Sequence, residues 1–135
     1  MLGTQMMTRF KSRGEIEGYR SGLEETLASE LEARGINFKF EPYKISFLQP
    51  QKRRTYLPDF LLDNGVLVET KGRFTTADRQ KHLLIKEQYP EMDLRFVFQN
   101  PNGRISKKSK TTYAMWCDKH GFKWAKKTIP KEWLE

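Results

Sequence analysis

The stretch of residues 55–72 decides the fold, and it reads Thr-Tyr-Leu-Pro-Asp-Phe-Leu-Leu-Asp-Asn-Gly-Val-Leu-Val-Glu-Thr-Lys-Gly. Two runs of β-forming residues, 56–62 and 66–70, flank the turn-forming residues Asp63-Asn64-Gly65. An Asn-Gly or Asp-Gly turn between two such runs is the strongest short-range signal for a β-hairpin. We therefore expect a hairpin here, with the rest of the chain arranged around it.

The register of this hairpin determines where Asp59 lies. Side chains alternate along a strand, so Glu69 and Lys71 share one face and lie roughly 7 Å apart. A two-residue turn would place Asp59 opposite Thr70, on the wrong face. A three-residue turn, with Gly65 in the left-handed conformation, places Asp59 directly opposite Glu69. We predict the three-residue turn.

Asp59 and Glu69 would then form a carboxylate pair, with Cβ atoms about 5 Å apart. Two carboxylates at this distance repel each other unless a cation lies between them. Oxygen ligands of this kind suit Mg²⁺ or Mn²⁺. Lys71 adds a positive charge that can orient or deprotonate a water, or stabilise charge that develops on a phosphate.

These residues match a nuclease motif. Pro58-Asp59 followed by Glu69-Thr70-Lys71 resembles the P-D…(D/E)-x-K motif of restriction-type metal-dependent nucleases. A wider set of segments across residues 15–134 resembles the endonuclease I family of T-seven-like bacteriophages, which are Holliday-junction resolvases. The segments that support this are Tyr19-Arg20-Ser21-Gly22-Leu23-Glu24, Tyr56-Leu57-Pro58-Asp59-Phe60-Leu61-Leu62, Val68-Glu69-Thr70-Lys71-Gly72, Lys81-His82-Leu83-Leu84-Ile85 and Pro130-Lys131-Glu132-Trp133.

The resemblance implies a metal-dependent endonuclease that cuts four-way and branched DNA, leaving 5′-phosphate and 3′-hydroxyl ends. It implies the catalytic residues Glu24, Asp59, Glu69 and Lys71. It also implies one or two Mg²⁺ ions per site, replaceable by Mn²⁺, held by Glu24, Asp59, Glu69 and the backbone carbonyl of Thr70. A restriction-endonuclease-like mixed sheet flanked by helices, and a homodimer that exchanges its N-terminal segment, are further implications. The resemblance places the protein in the cytoplasm of the phage-infected bacterial cell.

Glu24 has two interpretations. On the pattern alone, Ser21 and Glu24 fit the capping box Ser-x-x-Glu, in which the glutamate only bonds back to the start of its helix. The resemblance implies instead that Glu24 is a metal-site carboxylate. A carboxylate in a first helical turn is stabilised by the helix dipole while it faces a metal.

The remaining patterns predict an α/β fold with a mixed sheet. Their order is a helix from Ser21 to its stop at Gly35, strands at 36–40 and 43–48, a polar loop at 49–54, the hairpin, a helix from Thr75 or Thr76 to before Pro90, a strand at 93–98, and a helix at 111–120 capped by Gly121. His82 is expected to be a hydrogen-bonded structural histidine, and Cys117 a small buried residue. The tryptophans Trp116, Trp124 and Trp133 are expected in the core.

Composition limits the partners. The 135 residues suit one nuclease domain over 19–135, preceded by a flexible basic arm over 1–18. The net charge of +8 favours a polyanion, and neither a membrane nor a small-molecule substrate is expected. One cysteine indicates a reducing compartment, and Cys117, His82 and His120 form no closed zinc set. Candidate DNA contacts are Arg9, Lys11, Arg13, Arg20, Lys52, Arg53, Arg54, Arg73, Lys107 and Lys108.

Alternatives remain open for these assignments. The arm is also compatible with an ordinary frayed terminus, and the 49–54 loop with a solvated loop that contacts nothing. At the level of function, the alternatives are a non-catalytic protein that binds DNA junctions, and a restriction-type or repair-type nickase without junction preference.

Overall fold

A computed structural model describes residues 21–50 and 52–135 of this protein. The predicted basic arm, with Arg9, Lys11, Arg13 and Arg20, lies outside the described residues. Within them, the α-helices are α1 (Gly22–Ala33), α2 (Thr76–Gln88) and α3 (Tyr113–His120), and a short 3-10 helix covers Lys131–Leu134. None of the helices in these two ranges is long and apolar enough to cross a membrane.

The described strands form two sheets. The larger sheet has the order β1 (Phe38–Phe40), β4 (Phe60–Leu62), β5 (Leu67–Lys71), β6 (Leu94–Phe98) and β7 (Trp124–Lys126). Its first three strands are antiparallel and its last three are parallel. The smaller sheet pairs β2 (Ile45–Gln49) with β3 (Lys52–Tyr56). The predicted α/β fold with a mixed sheet flanked by helices is confirmed.

The β4–β5 hairpin has the predicted register. Phe60 lies opposite Val68, and the Leu62 amide donates to the Val66 carbonyl over 2.9 Å. Gly65 has a φ of 92°, which is the left-handed conformation that this three-residue turn requires. The predicted register is therefore confirmed over β4 and β5. Continued by one pair, it would bring Asp59, which precedes β4, opposite Glu69.

Helices cover both faces of the larger sheet. On one face Leu27 and Leu31 of α1 pack against Val68 and Val97. On the other face the side chains of α2 and α3 pack against an aromatic cluster that includes Phe74, Phe96 and Phe98. Because side chains alternate along β5, Val68 enters the first core and Leu67 the second. The central strand is therefore buried on both faces, which holds its polar end in a fixed position.

The predicted polar loop at 49–54 is wrong. Residues Lys52–Tyr56 form strand β3, which pairs with β2 from Ile45 opposite Tyr56 to Gln49 opposite Lys52. The four residues before Tyr56 are all exposed, so the strand lacks the apolar alternation that sequence patterns detect. The strand is held in place by its backbone hydrogen bonds to β2 instead. The sheet is also attached to α2, because Gln88 bonds both the amide and the carbonyl of Leu48, over 2.7 and 2.6 Å.

Other boundaries differ in detail. The predicted run at 56–62 divides at residues 57–59, where Pro58 has no amide hydrogen for a ladder bond. The sequence analysis missed β7, which is only three residues long. Two helix caps agree with prediction, because Ser21 caps α1 and Thr75 caps α2, and Thr112 caps α3. The left-handed Gly35 and Gly121 lie at the ends of α1 and α3, as predicted.

His82 is buried as predicted, but the predicted hydrogen bonding is wrong. Its exposure is 0%, and neither ring nitrogen has a hydrogen-bond partner among the described residues. Its ring instead contacts the edges and faces of aromatic rings, with centroids 5.0 Å from Tyr56 and 4.9 Å from Phe96. Cys117, Trp116 and Trp133 are buried as expected, whereas Trp124 is half-buried.

Candidate active site

The polar end of β5 meets the residues that precede β4. Asp59 is 2% exposed, and its Oδ2 accepts hydrogen bonds from the Thr70 amide over 2.9 Å and from Thr70 Oγ1 over 2.8 Å. The two donors fix the orientation of the Asp59 carboxylate against β5. Thr70 therefore positions Asp59 through both its backbone and its side chain.

Glu69 is 6% exposed and is contacted through both of its oxygens. The Tyr56 hydroxyl donates to Oε1 over 2.5 Å, and Lys71 Nζ lies 3.5 Å from Oε2. Burial, and then the negative charge of Asp59, raise the pKa of Glu69 to about 7. Burial and the charge of Glu69 raise the pKa of Tyr56 well above its usual value, so this hydroxyl keeps its proton and remains a donor.

Lys71 contacts a second carboxylate, which belongs to α2. Its Nζ lies 3.4 Å from Asp78 Oδ1. Burial alone would raise the pKa of Asp78, but the positive charge of Lys71 and the bonds from Thr75 outweigh it and lower this pKa. Lys81, one helical turn further along α2, lies with its Nζ 5.2 Å from the Tyr56 ring centroid. Burial and the nearby charge of Lys71 lower the pKa of Lys81.

Glu24 lies in a cleft beside this group. Its amide donates to Ser21 Oγ over 3.1 Å at the start of α1, and its side chain is buried. The cleft has a volume of about 630 Å³, and its walls include Glu24, Thr70, Lys71 and Lys127. The described part of one chain thus brings Glu24 into the same cleft as the end of β5. Ser21 caps α1 through the Glu24 amide, and the two predicted roles of the Glu24 side chain, in the capping box and in a metal site, both stay predictions.

The donor set fits a hard divalent cation. Asp59 and Glu69 are buried carboxylates at the end of one hairpin, and burial, followed by the negative charge of Asp59, raises the pKa of Glu69 more than Lys71 lowers it. A divalent cation would offset that charge. Within residues 21–50 and 52–135, no group of three or more His, Cys, Asp or Glu side chains is close enough together to hold a metal. The ligands that Glu24 and the Thr70 carbonyl would add therefore remain predictions.

The predicted DNA contacts within the described residues lie on two surfaces. Lys52, Arg53 and Arg54 are exposed along β3. Arg73 and Lys107, together with Arg104, line a second cleft of about 520 Å³ near the start of α2. Lys108 is exposed in the same loop as Lys107. Consecutive residues line the two clefts, with Gly72 in the first and Arg73 in the second.

The sequence analysis missed three residues that contact the site: Tyr56, Asp78 and Lys81. Asp78 and Lys81 carried a signal, because residues three apart on a helix share a face and both belong to the first two turns of α2. Nothing in the sequence shows that this face meets β5. The Tyr56 hydroxyl depends on a contact between two sheets, which local patterns do not report.

Comparisons with known proteins identify the relatives of this chain. The family model for phage endonuclease I matches residues 5–135. Endonuclease I of Escherichia phage T7 is 47% identical over 121 residues, covering 90% of this chain and 81% of the relative. Endodeoxyribonuclease 1 of Enterobacteria phage T3 is 47% identical over 112 residues, covering 83% and 74%. This chain belongs to the phage endonuclease I family.

Proposed function

We propose that this chain is a Mg²⁺-dependent endodeoxyribonuclease that resolves four-way and other branched DNA by paired hydrolysis of phosphodiester bonds. The products are 5′-phosphate and 3′-hydroxyl ends, formed inside the infected bacterial cell. The observation that carries the proposal is the group formed by Asp59, Glu69 and Lys71 at the end of a buried hairpin. The endonuclease names of the T7 and T3 relatives support the reaction class.

Asp59, Glu69, the Thr70 carbonyl and Glu24 would hold one or two Mg²⁺ ions, with Mn²⁺ as a substitute. When bound, such ions supply Lewis acidity, which makes water nucleophilic near neutral pH and offsets charge on the phosphoryl oxygens. The residues of the chain fix the orientation of the two carboxylates in this site. Thr70 fixes Asp59 and Tyr56 fixes Glu69, so neither carboxylate needs to reorganise during the reaction.

Lys71 supplies a positive charge beside the reacting phosphate. Its ammonium has three hydrogen-bond donors on a flexible stem, and it lies within 3.5 Å of Glu69. We assign to it the orientation of the attacking water and the stabilisation of negative charge that develops on the phosphate. Because the site is enclosed by buried groups, this charge acts in a medium of low polarity, where it is worth more than in water.

Selectivity for branched DNA would come from shape. The proposed site contacts only a phosphodiester group, which is the same at every base, so it cannot read sequence. The exposed cations of β3 and those of the second cleft would contact the phosphate backbone of the DNA. Two such surfaces in a symmetric dimer would fit the angled backbones of a junction and cut two related strands.

The dimer would form by exchange of the N-terminal segment, and the β2–β3 sheet is suited to this. Its ladder is separate from the larger sheet, so the pairing of β2 with β3 can occur between chains without altering β4–β7. The exchange would carry α1 and β1 to the partner, where they would make the contacts seen here within one chain. Exposed Tyr43 and Leu48 lie on this segment. Glu24 would then complete the partner's site.

One assay tests the proposal. An end-labelled four-way junction is incubated with the protein, with and without Mg²⁺, beside the component duplexes and a Lys71→Ala variant. We expect Mg²⁺-dependent paired cuts in the junction only, at a rate that is on the order of 10²-fold lower or more with the variant. Junction binding without cleavage after Mg²⁺ addition would indicate a non-catalytic binding protein. Equal cleavage of junction and duplexes would indicate a nickase without junction preference.

A further inference from the structure

Asp78 contacts both the start of α2 and the proposed catalytic lysine. Its Oδ2 accepts from the Thr75 amide over 3.1 Å, and its own amide donates to Thr75 Oγ1 over 3.1 Å, which forms a reciprocal cap. Its other oxygen, Oδ1, lies 3.4 Å from Lys71 Nζ. A single carboxylate therefore connects the end of β5 to the first turn of a helix that packs on the sheet.

The geometry around Lys71 shows a shared ammonium. Its distances to Glu69 and Asp78 are 3.5 and 3.4 Å, nearly equal. Both exceed the roughly 2.7–2.9 Å of a tight charge-assisted hydrogen bond. Lys71 is thus held between two acids and is not committed to Glu69. A lysine stem is flexible, so a single contact would leave the position of the ammonium poorly defined.

We propose that Asp78 is a positioning residue, whose carboxylate holds the Lys71 ammonium away from full pairing with Glu69 and so fixes its place beside the scissile phosphate. The proposal rests on the proposed function, because it acts through Lys71. Without Asp78, the ammonium would move onto Glu69, where it would no longer reach the phosphate and would occupy an oxygen that the metal requires.

A simple charge effect predicts the opposite result. Asp78 is an acid near a surface that binds a polyanion, so its neutralisation should strengthen DNA binding and leave cleavage unchanged or faster. Positioning predicts that neutralisation slows cleavage while binding stays equal or becomes tighter. The two measurements together therefore separate the two explanations.

The experiment uses a labelled four-way junction, with cleavage measured under single turnover in Mg²⁺ and binding measured without divalent ions. Asp78→Asn keeps a carbonyl oxygen for the Thr75 amide but loses the charge that holds Lys71. We expect its cleavage rate to fall by about 10- to 100-fold, the range for small misplacements of a catalytic group. Asp78→Glu keeps the charge and suits the third position of a capping box, so it should recover most of the rate.

Thr75→Ala is the matched control. It removes the other half of the cap without touching Lys71, so it should lower the melting temperature by a few degrees and leave the cleavage rate unchanged. If Thr75→Ala slows cleavage as much as Asp78→Asn does, Asp78 is only a helix cap and the proposal fails. Cleavage by Asp78→Asn at the wild-type rate, or an Asp78→Glu variant as slow as Asp78→Asn, would also overturn it.

A second measurement tests whether Asp78 acts through Lys71. In a Lys71→Ala background, Asp78→Asn should cause no further loss of rate, because residues that act as a unit are not additive. Full additivity would overturn the proposal. Failure of the proposed function is distinguishable, because the wild-type chain would then not cut the junction in Mg²⁺. A wild-type chain that cuts, with Lys71→Ala slow and Asp78→Asn at the wild-type rate, would remove only the role of Asp78.

Discussion

Two antiparallel hairpins follow each other along this chain, and they differ in burial and charge. The β2–β3 hairpin exposes four consecutive residues of β3, three of them basic. In the β4–β5 hairpin every strand residue is buried or half-buried, and its polar end has two buried carboxylates. The same backbone pairing thus supports an exposed row of cations in one hairpin and a buried pair of acids in the other. Burial, and not strand pairing, separates the two roles.

Tyr56 connects the two hairpins. It is the last residue of β3, yet it is buried, and its hydroxyl donates to Glu69 on β5. Its ring also contacts His82 of α2. The exposed hairpin therefore contacts the site through the side chain of Tyr56. Substitutions in the two hairpins can be compared by their effects on DNA binding and on cleavage.

The largest expected effect is the complete loss of cleavage in the Glu24→Ala and Asp59→Ala homodimers, and a mixed dimer of the two variants tests the exposed hairpin as the point of exchange. One chain would have Glu24→Ala and the other Asp59→Ala, with the mixed dimer purified by two tags. If exchange brings Glu24 of one chain into the site with Asp59 of the other, one site of the mixed dimer contains both substitutions and the other site is wild type. We expect this dimer to nick one strand of a junction without resolving it.

Both homodimeric variants should be inactive in that assay, which controls for carry-over of wild-type protein. A mixed dimer that binds junctions normally but cuts neither strand would show that each site lies within one chain. The β2–β3 hairpin would then be a DNA-contacting ribbon that does not exchange.

Next in size is the effect of Lys71→Ala, which tests the buried hairpin alone. Removal of one electrostatic donor from a preorganised site costs on the order of 10²-fold or more in rate. Junction affinity should stay close to wild type, because Lys71 is one charge within a large basic surface. Single-turnover rates and gel-shift affinities measure the two quantities. Weak binding with normal cleavage at high protein concentration would contradict the assigned role.

Burial also explains how much of this fold the sequence could predict. The β4–β5 register followed from parity around Gly65, because one-residue slips would move every buried side chain to the wrong face. β3 was missed because its exposed side chains carry no such constraint. Asp59, Glu69 and Lys71 were found because motif and register agree. Asp78 was missed because its contact with Lys71 depends on how α2 packs across the sheet.

A smaller effect is expected from the exposed hairpin. Replacement of Lys52, Arg53 and Arg54 by glutamine should weaken junction binding and reduce its salt dependence. Each lost phosphate contact lowers the log–log slope by about 0.9. The cleavage rate at saturating protein should stay unchanged, in contrast to Lys71→Ala. Lys131→Gln, at an exposed lysine of the 3-10 helix, serves as the control for the loss of one surface charge outside β3. An unchanged salt slope in the triple variant would exclude β3 from the DNA interface.

The smallest expected effect is on stability. It tests the packing of His82 of α2 against Tyr56, the residue that connects the two hairpins. Burial, with the nearby positive charge of Lys81, lowers the pKa of His82 well below its usual value. The folded protein therefore keeps His82 neutral at pH values where the unfolded chain protonates it. Stability from this group is complete above the unfolded pKa of about 6.5 and is lost as the pH falls below it.

We expect the free energy of unfolding to fall by up to about 1.4 kcal/mol per pH unit below that value through His82 alone. His82→Phe removes the titrating group while it keeps an aromatic ring against Tyr56, so its stability should decline less steeply in acid. Chemical denaturation at several pH values between 5 and 7 measures the difference in unfolding free energy between the two proteins. The contributions of the carboxylates that both proteins share cancel in this difference.

His120→Gln is the matched control, because His120 is partly exposed and its pKa is lowered by burial to a lesser degree. If His82→Phe and wild type lose stability in parallel, then His82 accepts a proton in the folded state, and the packing of α2 against Tyr56 does not keep it neutral.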